Sequence, residues 1–281
     1  MLVLLDNGSR RAAATLNLRA LSRHLGERLG TRVHPVSALH SSKIPPERLG
    51  GVPAWTLEAF LRQQVAAGQG SFGIVPLFFG PSRAIGDFVP EVAGRVAAEH
   101  GGFEVRVAAP LCPLPGGEPR LADILADNVR DVVPDDATAD IVVVDHGSPV
   151  PAVTAARHWL AQALAERLGN ACAVSEAVME RREGAEYDFN GRLLAEVLDD
   201  LGRTAAGAER TVALAMQFIS PGRHAGAGGD IAEIVADAAA RHPRLAVRVT
   251  RLIGEHPRFV DILAARAKAL ALSPPIDLPA A

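Results

Sequence analysis

Aromatic side chains make up only 4% of this chain, and its 281 residues include one tyrosine, two tryptophans and two cysteines. Cys112 and Cys172 can build neither a disulfide framework nor a CxxC metal pair, and both read as small buried residues. No apolar run approaches the ~18 residues of a membrane-spanning helix. The opening "MLVLLDNGSRR" lacks a charged leader and has too short an apolar stretch for a signal peptide. It reads as a first β-strand, and the chain as a cytoplasmic protein. The formal net charge is −3, from 29 basic and 32 acidic residues, so the basic excess that marks a nucleic-acid binder is missing. Apolar residues are plentiful, at 48%. Rich in Ala, Val, Leu and Ile, they suit α/β layers, in one large domain or two of about 140 residues each.

The chain repeats itself. "LVLLDNGS" (2–9) resembles "IVVVDHGS" (141–148), "VPLFFGPSRAIGDF" (75–88) resembles "AMQFISPGRHAGAGGDI" (215–231), and "EPRLADILADNV" (118–129) resembles "HPRFVDILAARA" (256–267). Three matches in the same order predict two homologous halves, 1–133 and 139–281. The joint is the polar stretch "VVPDDATAD" at 132–140, which carries a proline and no apolar period. Strand-like runs fall at 2–6, 32–39, 72–79 and 103–111 in the first half, and at 140–145, 172–179, 210–219 and 245–253 in the second. Helical patterns separate them. The patterns at 154–169 and 188–202 each carry an apolar stripe. Strands alternating with helices predict two parallel-sheet βαβ lobes with helices on both faces, and ligands beyond the carboxyl ends of the strands.

In the second half three polar groups follow three strands. His146 ends the run 140–145, Glu180 ends 172–179, and His224 lies in "SPGRH" after 210–219. In one parallel sheet these ends share an edge, so the three can converge. Two imidazoles and a carboxylate suit a first-row divalent metal, and histidine, which titrates near neutrality, also suits proton removal. Gly147 permits a tight turn, and Ser148 is placed to cap the next helix, whose N-terminus favours an anion. Taken singly each feature is ordinary. A histidine after a strand is most often only hydrogen-bonded, and "DHGS" alone is explained by a turn. "GRHAGAGGD" fits neither a phosphate loop nor GxGxxG, and no GxSxG elbow is present. His24, His100, His158 and His242 sit in helical or polar settings and read as solvated.

The set, in its order, resembles the class II tetrapyrrole chelatases, which include the sirohydrochlorin cobalt- and ferrochelatases. The residues that carry the resemblance are strand-HGS, a strand ending "AVME", then "SPGRH" with "DI" after it, then "HPRFVDIL". The resemblance covers nearly the whole chain as two tandem modules. It implies two pseudo-symmetric lobes around a cleft, with ATP-independent insertion of Co²⁺ or Fe²⁺ into sirohydrochlorin or a related tetrapyrrole, in siroheme or cobalamin biosynthesis. The metal, with Ni²⁺ also chemically possible, is a substrate, and no cofactor is required. Metal handling maps onto His146, His224 and, less directly, Glu180. Ser148, Arg223, Arg83 and Arg10 are candidates for holding the substrate's carboxylates, with Arg11, Arg181 and Arg182 also available. The first module departs from the pattern. Asn7 replaces the first histidine, Arg83 or Ala84 the second, and His40 the glutamate. The glycine run after His224 is longer than usual, which would loosen that histidine or widen the cleft. A monomer that imitates a dimer of single modules is expected, without nucleic-acid or membrane partners. The rival expectation is a non-catalytic metal or tetrapyrrole carrier using the same cleft.

Overall fold

The computed structural model describes residues 1–134, 138–169, 172–205 and 209–278. Chain contacts divide it into two units, 1–113 with 260–281, and 114–259. In the first, β1 (Leu2–Asp6), β2 (Val33–Ser37), β3 (Trp55–Thr56), β4 (Ser71–Pro76) and β5 (Glu104–Val107) form a parallel sheet of order β3-β2-β1-β4-β5. Strand alternation sends Val3, Leu5, Phe72 and Ile74 to one face, where α2 (Leu57–Ala66) and α3 (Val89–His100) pack. On the other face α1 (Ala12–Leu29) buries Leu18, Leu21 and Leu25.

The second unit repeats the plan with four parallel strands: β6 (Asp140–Asp145), β7 (Ala173–Val178), β8 (Arg210–Met216) and β9 (Leu245–Val249), in the order β7-β6-β8-β9. Val142, Val144, Val212 and Leu214 meet α6 (Leu194–Arg203) and α7 (Asp230–Arg241). Ile141, Val143, Ala213 and Ala215 are buried on the opposite face, with α4 (Pro119–Arg130) and α5 (Pro151–Leu168). Each fully buried Val or Leu contributes about 1.5–3 kcal/mol, which makes these two-sided sheets the main source of stability. Strand order reverses between β6 and β8, where a doubly wound sheet opens a crevice at its carboxyl edge.

The two repeats differ from the two packing units. The last helix of repeat 1–133, α4, packs in the second unit against α5. The last helix of repeat 139–281, α8 (Phe259–Ala269), lies almost wholly in the first unit. There Arg28 Nε donates to Asp261 Oδ1 at 3.0 Å, and Arg266 donates to the carbonyls of Pro110 and Leu111. Each sheet thus takes its final helix from the other repeat. The two helices bury corresponding apolar residues, Leu121, Ile124 and Leu125 in α4 and Phe259, Ile262 and Leu263 in α8. The joint read at 132–140 includes 135–137, which lie outside the described residues.

Smaller differences have local causes. The helical pattern from 188 begins only at Leu194, because Ala185–Asn190 is a 3₁₀ turn closed by Gly191 at φ +77°. Trp55–Thr56 adds a short edge strand that two residues cannot announce by periodicity. Cys112 is buried and Cys172 half-buried, and neither forms a disulfide among the described residues.

Candidate active site

His146 and Glu180 meet because the ladder between β6 and β7 continues past the strands. Met179 N–H donates to Asp145 O at 2.9 Å, and Glu180 N–H to His146 O at 3.2 Å. Gly147, at φ +91°, crosses so close that a Cβ there would lie 2.0 Å from Glu180 O. Only glycine allows this approach. His146 Nδ1–H donates to Gly147 O at 3.0 Å, and Nε2 stands 3.2 Å from Glu180 Oε1. With Nδ1 carrying a proton, a neutral ring would aim its lone pair at a carboxylate. The two atoms together present two electron-pair donors to an incoming cation.

His224 arrives from the loop after β8, which still pairs with β6 as far as Gln217 N–H to Val144 O. The glycine run is turned tightly on itself. A Cβ at Gly226 would lie 2.6 Å from Gly222 O, and one at Gly229 would lie 2.3 Å from Arg223 O. His224 Nδ1–H donates to Asp230 Oδ2 at 2.6 Å, in the first turn of α7. That bond fixes the tautomer and leaves Nε2 as the free donor atom. The His146 and His224 rings stand 4.5 Å apart, centroid to centroid, edge to face. All three sequence candidates are thus gathered at one sheet edge. Among the described residues, however, no group of three or more His, Cys, Asp or Glu is arranged to hold a metal ion. The groups meet in pairs, His146 with Glu180 and His146 with His224.

Beneath His146 lies a network that sequence reasoning missed. Arg157, 1% exposed, donates through Nη1 to Asp145 Oδ1 at 2.7 Å, through Nε to Glu176 Oε2 at 3.0 Å and through Nη2 to Asn190 O at 2.6 Å. Burial pushes the Asp145 carboxyl up, while the Arg157 guanidinium and the Gly147 amide pull against it. Asn190 brackets Ser148, accepting its N–H at Oδ1 and donating from Nδ2 to its carbonyl. The Ser148 hydroxyl accepts from Val150 N–H. Ser148 therefore anchors the loop, and Val150 takes the helix-cap position expected for Ser148. The sequence signal available for Arg157 was its place within the apolar pattern of α5. His158, read as solvated, has an exposed ring whose Nδ1 lies 2.6 Å from Glu176 Oε2.

Among the arginines, Arg223 is 73% exposed, its Nε 3.6 Å from Asp230 Oδ2. Arg181 is engaged by Asp188 and Gly191 O, and Arg182 lies over the Tyr187 ring. Arg10 and Arg83 are exposed residues of the first unit.

In the first unit other residues stand at the positions of the three candidates. Asn7 takes the place of His146. Sheet register pairs Asp6 with Ser37 and Asp145 with Val178, so Leu39 stands where Glu180 does, and His40 does not. A Cβ on Gly8 would lie 1.8 Å from Leu39 O, as one on Gly147 would lie 2.0 Å from Glu180 O. Counted from the pairing of Leu5 with Pro76 and Val144 with Met216, Ala84 stands for His224. Asp6, the counterpart of Asp145, has no arginine, and its Oδ1 is unpartnered. Burial raises its carboxyl from 3.8 to about 6, against hydrogen bonds from Ser37 and Gly8. Between these values the folded state binds more protons than the unfolded chain. This group's contribution to stability therefore falls as pH rises through that window and stays lost above it. Asp6→Asn should stabilise the protein at pH 8 by up to about 3 kcal/mol and have little effect near pH 4. Denaturant melts at both pH values check this, and an unchanged pH dependence would refute it.

The CbiX family model matches residues 140–270. No curated protein sequence matches the chain. Among solved structures, SirB from Bacillus subtilis with Fe³⁺ superposes with TM-score 0.70 at 16% identity, covering 96% of this chain and 94% of that one. The sirohydrochlorin chelatase SirB from Bacillus subtilis subspecies spizizenii, in complex with cobalt, gives 0.68 at 15% identity, with 98% of each chain covered. CbiX, the terminal enzyme for biosynthesis of siroheme in denitrifying bacteria, gives 0.56 at 16% identity, covering 95% of this chain and 98% of that one. At these identities the likeness is one of fold, and it bears out the two parallel-sheet lobes.

Proposed function

Given that residues 140–270 belong to the CbiX family and the class II chelatase assignment holds, we propose that this chain inserts Co²⁺ or Fe²⁺ into sirohydrochlorin or a related tetrapyrrole, without ATP. The observation that carries the reading is the convergence of His146, His224 and Glu180, with His146 Nε2 3.2 Å from Glu180 Oε1 and the two rings 4.5 Å apart. Metal bonds of about 2.0–2.2 Å to nitrogen and oxygen place neighbouring ligands roughly 3 Å apart. The 3.2 Å between His146 Nε2 and Glu180 Oε1 is therefore a spacing that a divalent cation can bridge.

Insertion needs the cation to shed waters and two pyrrole N–H protons to leave. Neutral imidazole at His146 and His224 replaces waters on the incoming metal. Glu180 draws the cation in and, with the imidazoles, accepts the departing protons. Asp230 holds the His224 ring in the tautomer that frees Nε2. A site built from pairs rather than a closed cage suits a metal that is a substrate, because a tight cage would withhold it from the ring. Arg223, exposed beside His224, is assigned to a carboxylate of the macrocycle. A single chain, acting in the cytoplasm, is the proposed working unit. No helix among the described residues is long and apolar enough to cross a membrane.

The test is anaerobic incubation with sirohydrochlorin and Co²⁺, Fe²⁺ or Ni²⁺ in turn, followed by visible absorption. Several rings metallated per chain support the reading. Stoichiometric uptake without turnover would make the chain a carrier, and no spectral change with any metal would remove the reading.

A further inference from the structure

The first unit contains a cavity of about 150 Å³ between α1, β2 and the segment that leads into β3. Its origin is visible by comparison with the second unit. Leu18 follows Asp6 at the spacing of 12 that separates Arg157 from Asp145. Pro53 precedes the Ser37–Thr56 pairing by the same step as Asn190 precedes the Val178–Leu193 bridge. In the second unit Arg157 and Asn190 occupy this region, and Asn190 Oδ1 accepts from Thr154 Oγ1 at 3.1 Å. In the first unit a leucine and a proline stand there. Neither can reach Thr15, the counterpart of Thr154. Thr15 is 4% exposed, lines the cavity and has no partner for its hydroxyl. A buried hydroxyl without a protein partner is available to hydrogen-bond a ligand.

The lining is also electrically one-sided. Arg19 and Arg32 border the cavity, no acidic residue does, and neither arginine has a carboxylate partner among the described residues. Arg19 spends part of its fork on the carbonyls of Leu49, Val52 and Pro53, fixing one wall. Arg32 is exposed at the mouth and makes no hydrogen bond or ion pair with a described residue. Leu18, Val52 and the 39%-exposed Trp55 supply apolar surface.

We infer that this cavity is a binding site for a small carboxylic acid with an apolar body. Arg32 takes the carboxylate, Leu18 and Trp55 hold the body, and the Thr15 hydroxyl is available to a polar group at the base. The site lies within the first unit and is independent of metal insertion.

Trp55 and Trp159 are the two tryptophans of the chain, so a Trp159→Phe variant of the full-length protein isolates Trp55 as a reporter. Benzoate is the probe. The expected result is a saturable fluorescence change, with benzyl alcohol and inorganic phosphate each weaker by about tenfold or more, and Arg32→Gln weakening benzoate by a similar factor. Arg32 is exposed, so this substitution does not threaten folding. Three results would each overturn the inference: no saturable change up to about 10 mM benzoate, equal binding of the alcohol or the phosphate, or unchanged affinity in Arg32→Gln.

Discussion

His146→Ala and His224→Ala should each slow metal insertion by about 100-fold or more, and their melting temperatures should match the parent's. Both rings are partly exposed, 47% for His146 and 29% for His224, so truncation leaves no buried hole. In the proposed reaction each ring would supply one donor atom to the cation and one place for a departing proton. Stopped-flow absorbance of the metallated ring, with calorimetric melts in parallel, provides the check. Near-normal insertion in either variant would remove that histidine from the reaction.

Arg157→Leu should be the most destabilising single change near the site, by about 3–5 kcal/mol, because it strands a buried carboxylate. Asp145 is 7% exposed and loses its only guanidinium, while Asn190 O loses its donor. A fall of roughly 10 °C in the melting temperature follows from the size of the protein. Adding Asp145→Asn should recover a good part of the loss, since the uncompensated charge, more than the volume, causes it. The first unit already tolerates Leu18 near Asp6, whose carboxyl burial moves toward the neutral form. A single variant that melts within 2 °C or so of the parent would show that the network does not hold the loop.

Much of this site was legible in the sequence, and the failures have physical causes. An aliphatic run that halts at Asp145-His146-Gly147-Ser148 reads as a buried strand ending at a sheet edge, although "DHGS" alone is explained by a turn. Strand order then gathers Glu180 and His224 at that edge. Arg157 escaped because a lone arginine in a helix is read as solvated, and what buries it is a set of partners far away in sequence. His40 lies one residue beyond Leu39, the glutamate's counterpart, and sequence similarity alone does not separate the two. The β1–β2 register, with Gly8 lying against Leu39 O, leaves no such freedom. The exchange of α4 and α8 between the units was invisible for another reason. Amphipathic stripes specify that a helix must be covered, and they do not say by which of two equivalent sheets.

In the proposed function His146 and His224 share one cation. X-ray absorption of the cobalt-loaded, ring-free protein reads this directly from imidazole scattering. The account predicts two imidazoles on cobalt in the parent and one in each single alanine variant. A parent spectrum without imidazole, or one unchanged when both histidines are replaced, would contradict it.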